Sequence, residues 1–153
     1  MKIIIDVSQM AYVGTGVARY TYGLTRALLQ AGSQHDFVFW AGTFRQSAYF
    51  NNLKKISPWN QAEWIIHPIP PKLAGFIFNT LPLPFELLIG KGDLFHTSDW
   101  SEPVTNIKKI TTIHDLVFVK YPETVDPLIL KTQKERLNRV IHGDTQIIAD
   151  SKS

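Results

Sequence analysis

The chain has 153 residues, 44% of them hydrophobic and 19% charged, which makes one domain with room for a core and rules out a disordered segment. Its net charge of +3, from 16 basic and 13 acidic side chains, comes without a dense Lys/Arg stripe and speaks against a nucleic-acid partner. There is no cysteine, which excludes a disulfide framework and cysteine-ligated zinc.

In chain order, the apolar run Ile3-Ile4-Ile5 predicts a buried strand over 2–7, followed by a loop over 8–13. A helix is predicted from Thr15 or Gly16 to about Ala31. Val17, Tyr20, Leu24, Ala27, Leu28 and Ala31 lie on one face of it, and Gly32 is its stop. A second strand is expected over 36–41, a weak helix over 47–55, and a third strand over 63–67, ended by Pro68, Pro70 and Pro71. The apolar stretch 73–90 is expected to be helical in pieces, being broken by Pro82, Pro84 and Glu86. Short strands follow over 93–96 and 109–113. Asp126-Pro127 has the pattern of an N-cap and a first-position proline for a helix to about His142, with Gly143 as its stop. A last strand is expected over 146–149. Strands alternating with helices predict an α/β fold, a Rossmann-like parallel sheet with helices on both faces.

In such sheets ligands bind beyond the carboxyl ends of the strands, where Asp6, His96, His114, Asp115 and Asp150 fall in this chain. The loop Gly14-Thr15-Gly16-Val17-Ala18-Arg19 stands between a strand and a helix. Two glycines let the backbone approach a ligand, and the helix start offers free N–H groups that favour an anion, most often phosphate. Arg19 in the first helical turn opposes the helix dipole, a cost that an anionic ligand would offset. The same glycines also serve a plain turn. A nicotinamide fingerprint is absent, because the third glycine and the acid closing the second strand are missing. Gly90-Lys91-Gly92 lacks the rest of a P-loop. No cofactor is therefore expected.

His114-Asp115 closes the strand 109–113, where a histidine can polarise a sugar hydroxyl or act as an acid or base. A ligand-free strand cap is the alternative. His96, Asp99, His114 and Asp115 raise a metal site as a rival, although their spacing matches no metal pattern. Trp59, Trp64 and Trp100 read as packing residues, with Trp100 close enough to His96 in sequence to line a pocket.

In their order and spacing these residues resemble family 4 retaining glycosyltransferases. The likeness rests on Ile4-Ile5-Asp6, on Gly14-Thr15-Gly16-Val17-Ala18-Arg19-Tyr20-Thr21, and on Leu24 with Ala27-Leu28-Leu29. It continues through Asp93-Leu94-Phe95-His96, Thr112-Ile113-His114-Asp115-Leu116, Tyr121-Pro122-Glu123 and Ile148-Ala149-Asp150-Ser151, and so spans nearly the whole chain. Ala18 departs mildly from the commoner Gly-Ile-Gly-Arg wording.

The resemblance implies the N-terminal, acceptor-side half of a GT-B arrangement. A C-terminal domain would carry the donor nucleotide and a glutamate pair about two helical turns apart. Nothing in the 153 residues supplies that pair, and the chain stops just after a strand, so a truncated protein is expected, inactive by itself. By the resemblance, Gly14, Thr15, Gly16, Arg19 and His96 would bind substrate or phosphate. His114 would contact the transferred sugar, and Asp115 would support its loop. The implied partners are a GDP- or UDP-sugar donor and a glycan or lipid-linked acceptor, with mannosyl transfer to a surface polysaccharide as the nearest wording. The expected location is the cytoplasm, with peripheral contact at the inner membrane face through 73–88. Two other classes stay open, a phosphate-binding module without chemistry and a metal-dependent hydrolase.

Overall fold

The computed structural model of the chain describes residues 1–32, 34–69 and 84–149. Strand β1 (Lys2–Asp6) leads through a 3-10 turn at Ser8–Ala11 into helix α1 (Gly16–Gln30). Then come β2 (Asp36–Gly42), α2 (Ser47–Leu53), a 3-10 turn at Trp59–Gln61 and β3 (Glu63–His67). The second half holds the single helical turn α3 (Glu86–Ile89), β4 (Leu94–Thr97), β5 (Lys108–Ile113) and the short α4 (Val117–Lys120). A 3-10 turn at Pro122–Thr124 precedes α5 (Pro127–His142) and β6 (Thr145–Ala149). The strands pair in the order β3-β2-β1-β4-β5-β6, each with its neighbour in parallel. The order reverses between β1 and β4, the switch point of a Rossmann-like α/β fold.

Side-chain alternation along the strands makes two cores from one sheet. Ile5, Phe37 and Phe39 point to the face covered by α1 and α2, where Leu29, Phe50 and Leu53 close over them. Ile4, Val38, Trp40 and Phe95 point to the opposite face, against Phe85 and Ile89 of α3. A central parallel strand is buried on both faces, which is why the middles of β1 and β2, Ile3–Ile5 and Phe37–Ala41, are apolar runs. Burying each such side chain contributes about 1.5–3 kcal/mol. The helix α5 packs on the Phe95 face, as the contact of Arg136 with Thr111 of β5 shows, since Thr111 lies opposite Thr97 in register. At the far edge, β6 keeps Ile147 and Ile148 at 51% and 40% exposure.

Strand and helix positions agree with the sequence patterns to within a residue or two, but the buried face of α1 does not. Ala18, Thr21, Thr25 and Leu29 are buried, Val17, Tyr20, Leu24 and Leu28 are half-buried, and Ala27 and Ala31 are exposed. The cause is back-bonding. Thr21 Oγ1 donates to the Val17 carbonyl at 2.9 Å, and Thr25 Oγ1 donates to the Thr21 carbonyl at 2.8 Å. A threonine with its hydroxyl satisfied inside the helix can face the core. The Trp59 indole then donates to Thr25 Oγ1 at 3.3 Å.

Both long helices start on side-chain caps. Thr15 Oγ1 accepts from the Ala18 amide at 3.2 Å, and Asp126 Oδ1 accepts from Leu128 and Ile129 at 2.9 and 3.3 Å. At the end of α5, a Cβ on Gly143 would stand 2.8 Å from the Arg139 carbonyl, so only glycine closes this turn without displacement. The α2 helix ends at Leu53, two residues short of expectation, and α4 and the 3-10 turns were not anticipated by periodicity because each is a single turn. Most of the apolar stretch 73–90 and the Asp150-Ser151 motif lie outside the described residues.

Candidate functional site

Because β4 pairs with β1, Ile5 lies opposite His96, and His96 lies opposite Ile110. His96 therefore points to the α1 face, as does Thr112 two residues beyond Ile110. Past the ends of these strands, Asp6, His96, Ser98, Asp99, Thr112 and His114 line a slot closed on one side by Tyr20 of α1. Its volume is about 20 Å³, enough for roughly one water molecule.

Asp6 ends β1 with its carboxylate accepting from the Ser8 amide at 2.9 Å and the Ser8 hydroxyl at 2.5 Å. The Ser8 hydroxyl oxygen accepts in turn from the Gly42 amide at 2.9 Å, tying the end of β1 to the end of β2. Burial pushes the Asp6 carboxyl up to about 6, against the downward pull of its bonds with Ser8 and Ser98. Burial, with the nearby His114 and Arg136, pushes His96 down to about 4, so this imidazole is neutral at pH 7. His96 Nε2 lies 3.0 Å from Thr112 Oγ1, and the Tyr20 hydroxyl lies 3.0 Å from the same oxygen. The Tyr20 ring meets the His114 ring edge-on, with centroids 4.6 Å apart at 75°.

Asp99 is held from behind by α5. Gln133 Nε2 donates to its carbonyl at 3.0 Å, and Arg136 Nη1 stands 3.6 Å from its carboxylate. Burial pushes the Arg136 guanidinium below its usual range, while Asp99 and Glu102 pull it back. Beside it, Glu102 is buried and takes Lys109 at 2.7 Å, Thr145 at 2.6 Å and Thr97 at 3.0 Å.

The residues expected from the sequence divide into three groups. His96 and His114 come together in the slot, His96 at 7% exposure and His114 half-buried. Gly14, Thr15, Gly16 and Arg19 are exposed around the start of α1, and none of them lines the slot. Among the described residues, no ion-pair partner meets the Arg19 guanidinium. Asp115 is exposed, and its Oδ1 accepts from the Val117 amide at 3.0 Å, capping the turn into α4. The metal rival gains no geometry, because among the described residues no three His, Asp or Glu side chains gather as cation ligands. Trp59 is core at 3% exposure and Trp64 packs against that core, whereas Trp100 is 38% exposed and is not part of the slot wall.

No family model, curated protein or solved structure matches this chain. The reading of the site therefore rests on its own residues. No helix among the described residues is long and apolar enough to cross a membrane. Tyr20, expected as a helix-face position, and Thr112, seen only within the family wording, are slot residues not expected to serve the site; Gln9, Thr97 and Ser98 line it as well. The available signal was a hydroxyl at an inward position of a buried strand, facing a tyrosine one turn into the next helix.

Proposed function

We propose that this chain is the acceptor-side domain of a retaining glycosyltransferase, which moves a sugar from a nucleotide-sugar donor to a saccharide or lipid-linked acceptor. The observation that carries the reading is the convergence of His96 and His114 in one slot at the switch point, walled by Val17 and Tyr20 of the helix that the glycine loop and the exposed Arg19 begin. The first amides of α1 have no acceptor inside the helix, and Arg19 adds a cation beside them. Together they would stabilise a diphosphate as it leaves the sugar. His114, half-buried and open to the slot, would contact the transferred sugar, with Asp115 bracing its loop. A slot with room for one water cannot enclose a sugar, which fits a site completed by a second, donor-binding domain facing this edge. GDP-mannose is the first donor to try, followed by UDP-glucose and UDP-N-acetylglucosamine.

The test is sugar transfer from these labelled donors by the complete gene product. His114→Ala should lower turnover at least about tenfold, a barrier rise of about 1.4 kcal/mol. Wild-type turnover in that variant would reject the role of His114. Arg19→Ala should weaken binding of pyrophosphate or UDP. Anion binding with no transfer from any donor would reassign the protein as a phosphate-binding module.

A further inference from the structure

We propose that Thr112 is a positioning residue for His114, acting through Tyr20. What His114 does rests on the transferase reading; the contacts that hold it do not. Thr112 lies in β5 and His114 just past its end, and both line the slot on the α1 face. Tyr20 reaches down from α1 across both. Its hydroxyl bonds Thr112 Oγ1 at 3.0 Å, and its ring lies against the imidazole of His114. A ring held at its far end by a hydrogen bond and applied edge-on to a second ring restricts that second ring to a narrow range of orientations.

Thr112 is itself fixed. It is 4% exposed, and its oxygen also meets Nε2 of buried His96 at 3.0 Å. The threonine hydroxyl carries one proton and two acceptor lone pairs, so at least one of its two neighbours donates to it. Loss of the central hydroxyl leaves a phenol and an imidazole nitrogen without that partner in a site largely closed to solvent. His96 then serves, from the slot wall, as the footing of this strut.

The test uses the chain labelled with ¹⁵N and ¹³C at histidine. Thr112→Val, which keeps the shape and removes the hydroxyl, should move the His114 ring resonances as Tyr20 turns away. Tyr20→Phe, which deletes only the anchoring oxygen, should move them in the same way and guards against a Thr112 variant that fails to fold. Thr112→Ser should restore them. In the transfer assay, Thr112→Val should lower kcat about tenfold while KM for the donor changes less than about twofold. Unmoved His114 resonances in Tyr20→Phe or a folded Thr112→Val, or wild-type kcat in Thr112→Val, would overturn the proposal. Shifted resonances without transfer by the wild-type protein would uphold the strut and sink the transferase reading alone.

Discussion

Arg136 reaches from α5 to Asp99 across the sheet, its Nη1 standing 3.6 Å from the carboxylate while the residue is 1% exposed. The same guanidinium donates to Thr111. A buried cation with its partner in place is near neutral for stability, but removing one member leaves the rest of the network unmatched. Arg136→Ala should therefore cost about 3 kcal/mol in urea denaturation. Arg136→Met, which removes the charge and refills the volume, should cost distinctly less. Equal losses for the two would mean that packing, and not the ion pair, accounts for the effect.

Asp6 and His96 should give the fold opposing pH dependences. The Asp6 carboxyl is raised from 3.8 to about 6 in the folded protein, so its contribution is present below pH 3.8 and is lost as pH rises through about 6. His96 is lowered from 6.5 to about 4, so its contribution is present above pH 6.5 and is lost as pH falls through about 4. Each slope is at most about 1.4 kcal/mol per pH unit. Relative to wild type, the stability of Asp6→Asn should rise between pH 4 and 6 and that of His96→Gln should fall. Variant curves parallel to wild type would contradict these assignments.

Two glycines of one loop should behave differently. Gly14 has φ +105°, a conformation that L side chains rarely adopt, so Gly14→Ala should cost about 1–2 kcal/mol. Gly16 is helical and faces open space, so Gly16→Ala should stay within about 0.5 kcal/mol of wild type by thermal unfolding. Because Gly16→Ala leaves the fold intact, any loss of pyrophosphate binding in that variant reports close approach of the anion to the backbone.

The Asp126 cap should be separable from its charge. Asp126→Ala leaves the Leu128 and Ile129 amides without their side-chain acceptor and should cost about 1 kcal/mol. Asp126→Asn keeps an acceptor oxygen and should cost a few tenths at most. A full loss in the asparagine variant would point to the helix dipole as the dominant effect.

Much of this molecule is written in short-range signals. The apolar run Ile3-Ile4-Ile5, the Thr15 and Asp126 caps and the stop at Gly143 act within a turn or two of chain, and they placed strands and helices close to where they stand. Hydrophobicity alone misplaced the buried face of α1, because Thr21 and Thr25 enter the core through hydroxyl bonds that no hydropathy pattern registers. The glycine loop and both histidines were legible as candidates, and the strand ends were expected to gather the histidines; their bonding to Thr112 and Tyr20 was not legible.

By itself, then, the sequence determined the alternation of strands and helices, and with it a parallel α/β sheet. The tertiary structure decided which strand ends meet. Placing β4 beside β1 sets His96 level with Ile5, and β5 beside β4 brings Thr112 onto His96 and His114 under Tyr20. The Tyr20–Thr112 bond alone joins residues 92 positions apart. Such pairings are selected by burying two apolar faces of one sheet at once, a condition that no local stretch of chain can express.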